Sequence, residues 1–160
     1  MTLFNDMDKK AYLIVTRITP LIYELSDDYQ STVKCEIMLG AEEGEAPAMF
    51  KYQNNYYLIQ SKLSGWSPNS NFYCVASSIE GPWENKGTFA KGPNENTTFD
   101  SQVNFVLPLA FNEDKFIFMA DRINLKSINQ STYVWLPIQM NSQNHTISVL
   151  WQERWSVINK

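Results

Sequence analysis

Glu45 is the carboxylate of this chain whose position best suits acid chemistry. It stands in the segment Gly44-Glu45-Ala46-Pro47-Ala48, directly before an apolar strand that needs no charge. Pro47 suits the first residues of a strand, where its missing N–H leaves no ladder bond unmade, and Asn54-Asn55 marks a turn before a second strand. The pattern therefore predicts a β-hairpin with Glu45 at the exposed start of its first strand, where a reacting acid could meet a ligand.

Other residue types with reactive side chains give little support for other chemistries. His145 is the single histidine and falls in a polar turn. Without a second histidine or clustered cysteines, neither a metal site nor a Ser/His or Cys/His catalytic device is indicated. Cys35 and Cys74 are interpreted as buried thiols within strands, since two cysteines do not make a disulfide framework. We therefore expect no metal and no cofactor.

Composition indicates a single domain with a neutral or polar ligand. The 160 residues are 44% apolar and 19% charged, and no shift in composition divides residues 1–160 into two domains. The net charge of −4 and the absence of clustered Lys and Arg argue against nucleic acid as a partner. No run approaches the ~18 to 20 apolar residues of a membrane span, so no membrane partner is expected.

The sequence carries weak signals of a secreted parent protein. Three triplets satisfy the N-glycosylation pattern, although this pattern often arises by chance in an Asn-rich chain; they begin at Asn96, Asn129 and Asn144. Residues 1–10 lack the apolar region of a signal peptide. We expect an extracellular or secretory parent, without a signal peptide in this chain.

Short apolar or alternating runs with turn residues between them fill the chain. They are Ala11–Thr16, Leu21–Leu25, Val33–Met38, Ala48–Tyr52, Tyr56–Ser61, Phe72–Ser77, Val103–Leu109, Phe116–Ala120, Tyr133–Met140 and Ile147–Trp151. No window between them holds helical periodicity long enough for a helix. The pattern predicts an all-β chain of meandering antiparallel hairpins.

A weak sequence repeat recurs at roughly the 40 to 50 residue spacing of a propeller blade. Each copy is a polar turn followed by an aromatic-rich strand, at Lys10–Ile14, Asn55–Ile59 and Lys115–Met119. At that spacing the chain supplies about three blades, which is fewer than the smallest closed propeller. The repeat therefore leaves two architectures open, a sandwich or an incomplete propeller.

Several segments, in order along almost the whole chain, resemble one known family. They are Met1–Phe4 with Ala11–Ile14, Glu45–Lys51, Gly65–Asn69, Gly81–Trp83, Thr97–Gln102, Phe116–Arg122 and Tyr133–Pro137. They resemble glycoside hydrolase family 43, whose members are five-bladed β-propellers, and within it the exo-β-1,3-galactanase branch. The resemblance implies that the chain is a C-terminal fragment with about three blades of such a propeller. Such a fragment lacks the first blades and also the acidic residues that those blades carry.

The resemblance assigns two residues to the chemistry. Inverting glycoside hydrolysis needs an acid that protonates the leaving oxygen and a base, roughly 6.5 to 9.5 Å away, that activates water. Glu45 matches the general acid, although without the resemblance it reads as part of a solvated acidic loop. Gln102 matches a position that faces the sugar, as candidate base or water-orienting group, or else a buried polar side chain bonded within the channel. Asp100 is the nearby carboxylate to test against it.

The resemblance also implies sugar contacts. Trp66 lies on a loop where its ring could stack on a pyranose while Asn69 and Ser64 reach hydroxyl groups; the alternative is a Trp that covers the end of a blade. Asp121 and Arg122 end a strand at the propeller mouth, either as a pair that holds the pocket or as a solvated salt bridge. The other tryptophans are interpreted as blade core: Trp83, Trp135, Trp151 and Trp155.

The resemblance implies inverting exo-hydrolysis of β-1,3-linked galactan in the intact parent, with a polysaccharide or oligosaccharide as substrate. Two alternatives stay open. One is an α-arabinofuranosidase or β-xylosidase of the same family, and the other is a non-catalytic carbohydrate-binding β domain, because missing blades would remove part of the pocket. Open sheet edges and an uncovered apolar flank predict self-association.

Overall fold

The computed structural model describes residues 1–16, 18–109 and 112–157, and these form three β-sheets. The first sheet contains β1 (Thr2–Asn5), β2 (Ala11–Val15), β3 (Leu21–Leu25) and β4 (Thr32–Ile37). The second contains β5 (Glu45–Tyr52), β6 (Asn55–Ser61), β7 (Phe72–Ala76) and β8 (Glu84–Thr88). In both sheets each strand pairs antiparallel with the next one along the chain.

The third sheet repeats this meander and adds one strand at its edge. It contains β10 (Gln102–Leu109), β11 (Asn112–Arg122), β12 (Thr132–Asn141) and β13 (Thr146–Leu150). The short β9 (Ala90–Lys91) precedes it in sequence and pairs parallel to β13. Helical structure in the described residues is limited to two 3₁₀ turns, Glu95–Thr97 and Ile128–Gln130, and no described helix is long and apolar enough to cross a membrane.

Strand β6 shows why these sequences form stacked blades. Its residues are almost all buried, because the second sheet is covered on both faces. Side chains alternate between the two faces of a strand, so Tyr57 and Ile59 enter the core shared with the third sheet, whereas Tyr56 and Leu58 enter the core shared with the first. The chain is therefore an all-β, partial propeller of three blades. The predicted fold class is confirmed, and the two-layer sandwich is excluded.

Aromatic rings join the second and third blades. The ring of Phe50 stacks on that of Tyr57 at 5.0 Å between centroids and contacts that of Phe116 at 4.8 Å. Phe89 meets Phe118 edge to face at 5.4 Å. Such pairs add about 0.5 to 1.5 kcal/mol each beyond the area that they bury. This packing fixes β5 against β10, the strands at whose starts Glu45 and Gln102 lie.

A buried ionic cluster ties the first blade to the second. Asp6 accepts hydrogen bonds from Lys51 Nζ at 2.7 Å, from the Tyr56 hydroxyl at 2.5 Å and from the backbone N–H of Met7 at 2.7 Å. Burial raises the pKa of Asp6, but these bonds and the charge of Lys51 outweigh it and leave that pKa below its ordinary value. The ionised carboxylate therefore stabilises the junction of the two blades.

Two predictions of burial are wrong. Cys35 is exposed, because β4 is an edge strand whose side chains mostly face solvent, while Cys74 is buried as expected. Trp135 is 50% exposed, because it lies on the face of the third sheet that is turned away from the aromatic core. Phe105 and Leu107 lie on that same face and are also exposed; we call these three residues the open face. Trp83 is buried, and Trp151 and Trp155 pack against the core.

Candidate functional site

Glu45 is the first residue of β5 and is turned by a β-bulge. The pairing register shifts between Glu45 and Ala48, and Ala46 has a left-handed φ of 49°. Gly44 lets this segment approach β6, since a Cβ added there would lie 2.9 Å from the carbonyl oxygen of Ser61. A bulge re-aims the side chain beside it. Here it pairs Glu45 with Ser61 across the hairpin.

Gln102 begins β10 directly after a strained turn. Thr98, Phe99 and Asp100 all have left-handed backbone conformations, with φ values of 50°, 62° and 58°. Each such residue costs roughly 1 to 2 kcal/mol when it is not glycine. Strain of this kind persists only where surrounding contacts determine the conformation, and it occurs preferentially at functional sites.

Asn71 holds the strained turn from one side. Its side chain is 1% exposed and accepts from the N–H of Val103 at 2.8 Å while donating to the carbonyl oxygen of Ser101 at 3.3 Å. Its backbone N–H donates to the hydroxyl of Thr98 at 2.7 Å. These bonds satisfy buried groups on both sides of Gln102, so they fix where β10 begins.

Arg122 holds the turn from the other side. Its guanidinium donates two hydrogen bonds to the carbonyl oxygen of Phe99, at 3.0 and 2.5 Å, and lies 5.5 Å from the centre of the Trp151 ring. Asp121 instead accepts from the side-chain amide of Asn104 at 2.7 Å. Successive residues of a strand point to opposite faces, so Asp121 and Arg122 separate and do not form the expected pair.

The candidate acid and the candidate base contact each other. Gln102 Nε2 donates to Glu45 Oε1 at 3.2 Å and to Ser61 Oγ at 2.8 Å, and Ser61 Oγ donates to the backbone oxygen of Glu45 at 3.3 Å. An inverting pair stands about 6.5 to 9.5 Å apart, with the sugar and a water between its members. In this structure the Glu45 and Gln102 side chains are in direct contact, which is closer than that separation.

A cleft opens beside Gln102, and Glu45 does not line it but borders it through its contact with Gln102. The cleft has a volume of about 120 Å³, below the ~300 Å³ at which complete ligand pockets begin. Its lining residues are Gly65, Trp66, Ser67, Pro68, Asn69, Asp100, Ser101, Gln102, Asp121 and Ile123. The ring of Trp66 is 70% exposed and stands beside carboxylates and an amide, an arrangement that suits a sugar with one apolar face and several hydroxyl groups.

Two residues predicted to contact the sugar shape the Trp66 loop. Ser64 Oγ donates to the carbonyl oxygen of Ser67 at 2.6 Å and accepts from Asn69 Nδ2 at 2.5 Å. The Asn69 amide also bonds both backbone groups of Lys62, at 2.9 and 3.0 Å. Asn69 lines the cleft, whereas Ser64 lies among loop contacts. The bonds made by these two side chains hold the loop that presents Trp66.

Asp100 faces the cleft with both carboxylate oxygens engaged. It accepts from Asn94 Nδ2 and from the Thr97 hydroxyl, each at 2.7 Å. These bonds lie within the strained turn, so Asp100 helps to close that turn as well as lining the cleft. No group of three or more His, Cys, Asp and Glu side chains that could hold a metal ion is found in residues 1–16, 18–109 and 112–157.

Sequence reasoning missed Ser61, Asn71 and Asn104. All three are ordinary polar residues with no motif of their own, and they matter through contacts across the fold. The one available signal was a pair of polar residues that ends an otherwise apolar strand, as Gln60 and Ser61 do after Tyr56–Ile59. A polar side chain at a buried strand end needs a partner.

Comparison with known proteins places this geometry in a family. No protein-family model and no curated protein sequence matches the chain. Among solved structures, a family 43 β-1,3-galactosidase bound to galactodeoxynojirimycin is 37% identical over 97% of this chain, with a TM-score of 0.89. The chain belongs to glycoside hydrolase family 43. A second family 43 β-1,3-galactosidase is 33% identical over 98% of the chain, with a TM-score of 0.90.

A third similar protein has been solved with galactose. This exo-β-1,3-galactanase from Phanerochaete chrysosporium is 32% identical over 92% of the chain, with a TM-score of 0.75. Further structures of it, in which a glutamate is replaced by alanine or glutamine, contain β-1,3-galactotriose. The chain spans 46%, 34% and 38% of the lengths of the three relatives. It therefore matches between about a third and a half of each.

Proposed function

We propose that this chain forms part of the sugar site of a glycoside hydrolase that removes terminal β-1,3-linked galactose with inversion. The observation that carries the proposal is the cleft that Trp66, Asp121 and Gln102 line together, with Glu45 in contact with Gln102. The relatives at 32 to 37% identity, which are β-1,3-galactosidases and an exo-β-1,3-galactanase, support galactose as the sugar.

In this proposal the sugar lies against Trp66 and parts Glu45 from Gln102. Glu45 gives its proton to the oxygen of the leaving group as the bond from that oxygen to C1 breaks. Water attacks C1 from the opposite face, oriented by Gln102, and loses one proton. An amide is a poor base, so in this proposal Gln102 orients the water and the carboxylate of Asp100, which lines the same cleft, accepts the proton that the water loses.

The test uses β-1,3-galactotriose and NMR detection of released galactose. The wild-type chain should release galactose as the α-anomer first, because inversion converts a β-linkage into an α-product. Glu45→Gln should lower the rate by at least about 100-fold, since general acid catalysis contributes that much or more. Glu43→Gln is the matched control, because Glu43 is an exposed carboxylate two residues away, and it should leave the rate unchanged.

Equal rates for Glu45→Gln and the wild type would remove Glu45 from the mechanism. Release of arabinose or xylose from aryl glycosides in place of galactose would contradict the assignment of the sugar. Asp100→Asn separates the two groups that could act on the water: loss of activity with retained galactose binding identifies Asp100 as the base, and full activity leaves that role to Gln102.

One observation favours a second candidate function, carbohydrate binding without hydrolysis. The 3.2 Å contact between Glu45 and Gln102 and the small cleft suit a site that holds one sugar ring against Trp66. Titration calorimetry with galactose distinguishes the two functions. Binding that Trp66→Ala abolishes, without any release of galactose from galactotriose, would favour the binding function over the hydrolytic one.

A further inference from the structure

Ser61 occupies the centre of the contact between the two candidate catalytic residues. We propose that Ser61 is a positioning residue that keeps the carbonyl oxygen of the Gln102 side chain directed at the cleft, whether Glu45 is protonated or ionised. The proposal deepens the function proposed above and rests on it. Its structural part concerns the orientation of one amide and can be measured without any activity.

The hydrogen-bonding capacity of the Ser61 hydroxyl determines which atom of the Gln102 amide faces it. A serine hydroxyl has one proton to donate and two lone pairs that accept. The proton of Ser61 is directed at the backbone oxygen of Glu45, at 3.3 Å. The hydroxyl can then only accept from the Gln102 amide at 2.8 Å, so the nitrogen of that amide must face it. Ser61 is fully buried, and water does not compete for these bonds.

Glu45 alone could not impose this orientation throughout a reaction. When ionised, its carboxylate only accepts, so it too requires the amide nitrogen at 3.2 Å. A general acid must be protonated before each turnover, however, and a protonated carboxyl group can donate to an amide oxygen. The Gln102 amide could then rotate so that its nitrogen and oxygen exchange places. Because Ser61 keeps its acceptor role in both states, it removes that alternative.

The orientation decides what Gln102 can do. With Nε2 committed to Ser61 and Glu45, Oε1 is the polar atom left for the cleft, and it accepts no hydrogen bond from the part of the chain that the structure describes. A water or a sugar hydroxyl can therefore donate to Gln102 but cannot accept from Oε1. When a sugar parts Glu45 from Gln102, the 2.8 Å bond to Ser61 still holds the amide in place.

Isotope-edited NMR of the 160-residue chain tests the orientation directly. The side-chain NH₂ signals of Gln102 are assigned by their loss in Gln102→Leu. In the wild type and in Glu45→Gln, whose amide can both donate and accept as a protonated carboxyl group can, nuclear Overhauser effects should join these protons to the β-protons of residue 61. In Ser61→Ala these effects should be present, and in the double variant Ser61→Ala with Glu45→Gln they should be lost.

Controls separate this effect from a loss of structure. Ser61→Thr keeps a hydroxyl and should retain the effects, both alone and together with Glu45→Gln. Thr16→Val removes another buried hydroxyl, one that makes no hydrogen bond within the described residues, and should change neither the effects nor the thermal midpoint. Effects that persist in the double variant Ser61→Ala with Glu45→Gln, or that are missing in the wild type or in Glu45→Gln, would overturn the proposal.

A binding measurement distinguishes failure of this inference from failure of the proposed function. The wild-type chain should bind galactose, and Ser61→Ala should bind it about tenfold more weakly, as expected for the loss of one buried hydrogen-bond partner. If the wild type fails to bind galactose while the NMR effects follow the expected pattern, the proposed function is wrong and the positioning stands. If Ser61→Ala binds galactose as the wild type does, Ser61 has no role in the sugar site.

Discussion

Asn71 offers the sharpest test of how the fold holds the site, because one buried amide anchors the strained turn before Gln102. Asn71→Ala removes its bonds to the Val103 N–H and the Ser101 carbonyl oxygen. Each buried group left without a partner costs about 1 to 3 kcal/mol. We therefore expect the free energy of unfolding to fall by roughly 2 to 6 kcal/mol.

The same change should also release strain. Thr98, Phe99 and Asp100 together store roughly 3 to 6 kcal/mol in their left-handed conformations. If the turn relaxes when its anchor is lost, part of the destabilisation is recovered, but Gln102 moves out of the cleft. Asn71→Ala should then lose galactose binding even where it remains folded.

Urea unfolding followed by tryptophan fluorescence measures the first effect, and titration calorimetry with galactose measures the second. Asn96→Ala is the matched control, since Asn96 is an exposed amide near the same turn, and it should stay within about 0.5 kcal/mol of the wild type. An Asn71→Ala variant that is as stable as this control and binds galactose normally would show that Asn71 holds neither the turn nor the site.

The remaining predictions concern the thiols, the ionic cluster and the open face. Burial raises the pKa of Cys74 to about 11, so a thiol reagent at neutral pH should label exposed Cys35 rapidly and Cys74 only after unfolding; two equally fast thiols would contradict the burial. Because the folded-state pKa of Asp6 lies below its ordinary 3.8, its stabilisation is complete above that value and is lost as the pH falls through the folded pKa. Asp6→Asn should therefore lower the unfolding free energy by about 1 to 3 kcal/mol at neutral pH and flatten the acid side of the stability profile; an unchanged profile in acid-titrated unfolding curves would contradict this. The open face should cause concentration-dependent self-association in size-exclusion chromatography that Leu107→Lys reduces, and a monomer at all concentrations would argue against it.

The hairpin that carries Glu45 could be predicted from the sequence, but its register could not. The turn at Asn54-Asn55 and the early Pro47 located both strands. Counting back from that turn would pair Glu45 with Lys62, whereas the bulge after Glu45 shifts the pairing to Ser61. The bulge depends on a close approach at Gly44 that only the folded chain reveals.

The turn before Gln102 could not be predicted, because nothing local favours it. None of Thr98, Phe99 and Asp100 is a glycine, although all three adopt backbone conformations that favour glycine. Contacts from Asn71 and Arg122, both distant in sequence, determine the conformation. The exposure of Cys35 and Trp135 was missed for a related reason, since local patterns do not show which strand lies at an edge or which face stays uncovered.

A structure of the chain with galactose would show whether the cleft beside Gln102 is a sugar site. We predict the galactose ring against Trp66, a hydroxyl group or water donating to Oε1 of Gln102, and Glu45 parted from its present 3.2 Å contact. Galactose bound elsewhere, or an unchanged Glu45 to Gln102 contact beneath the sugar, would mean that these residues do not form the proposed site.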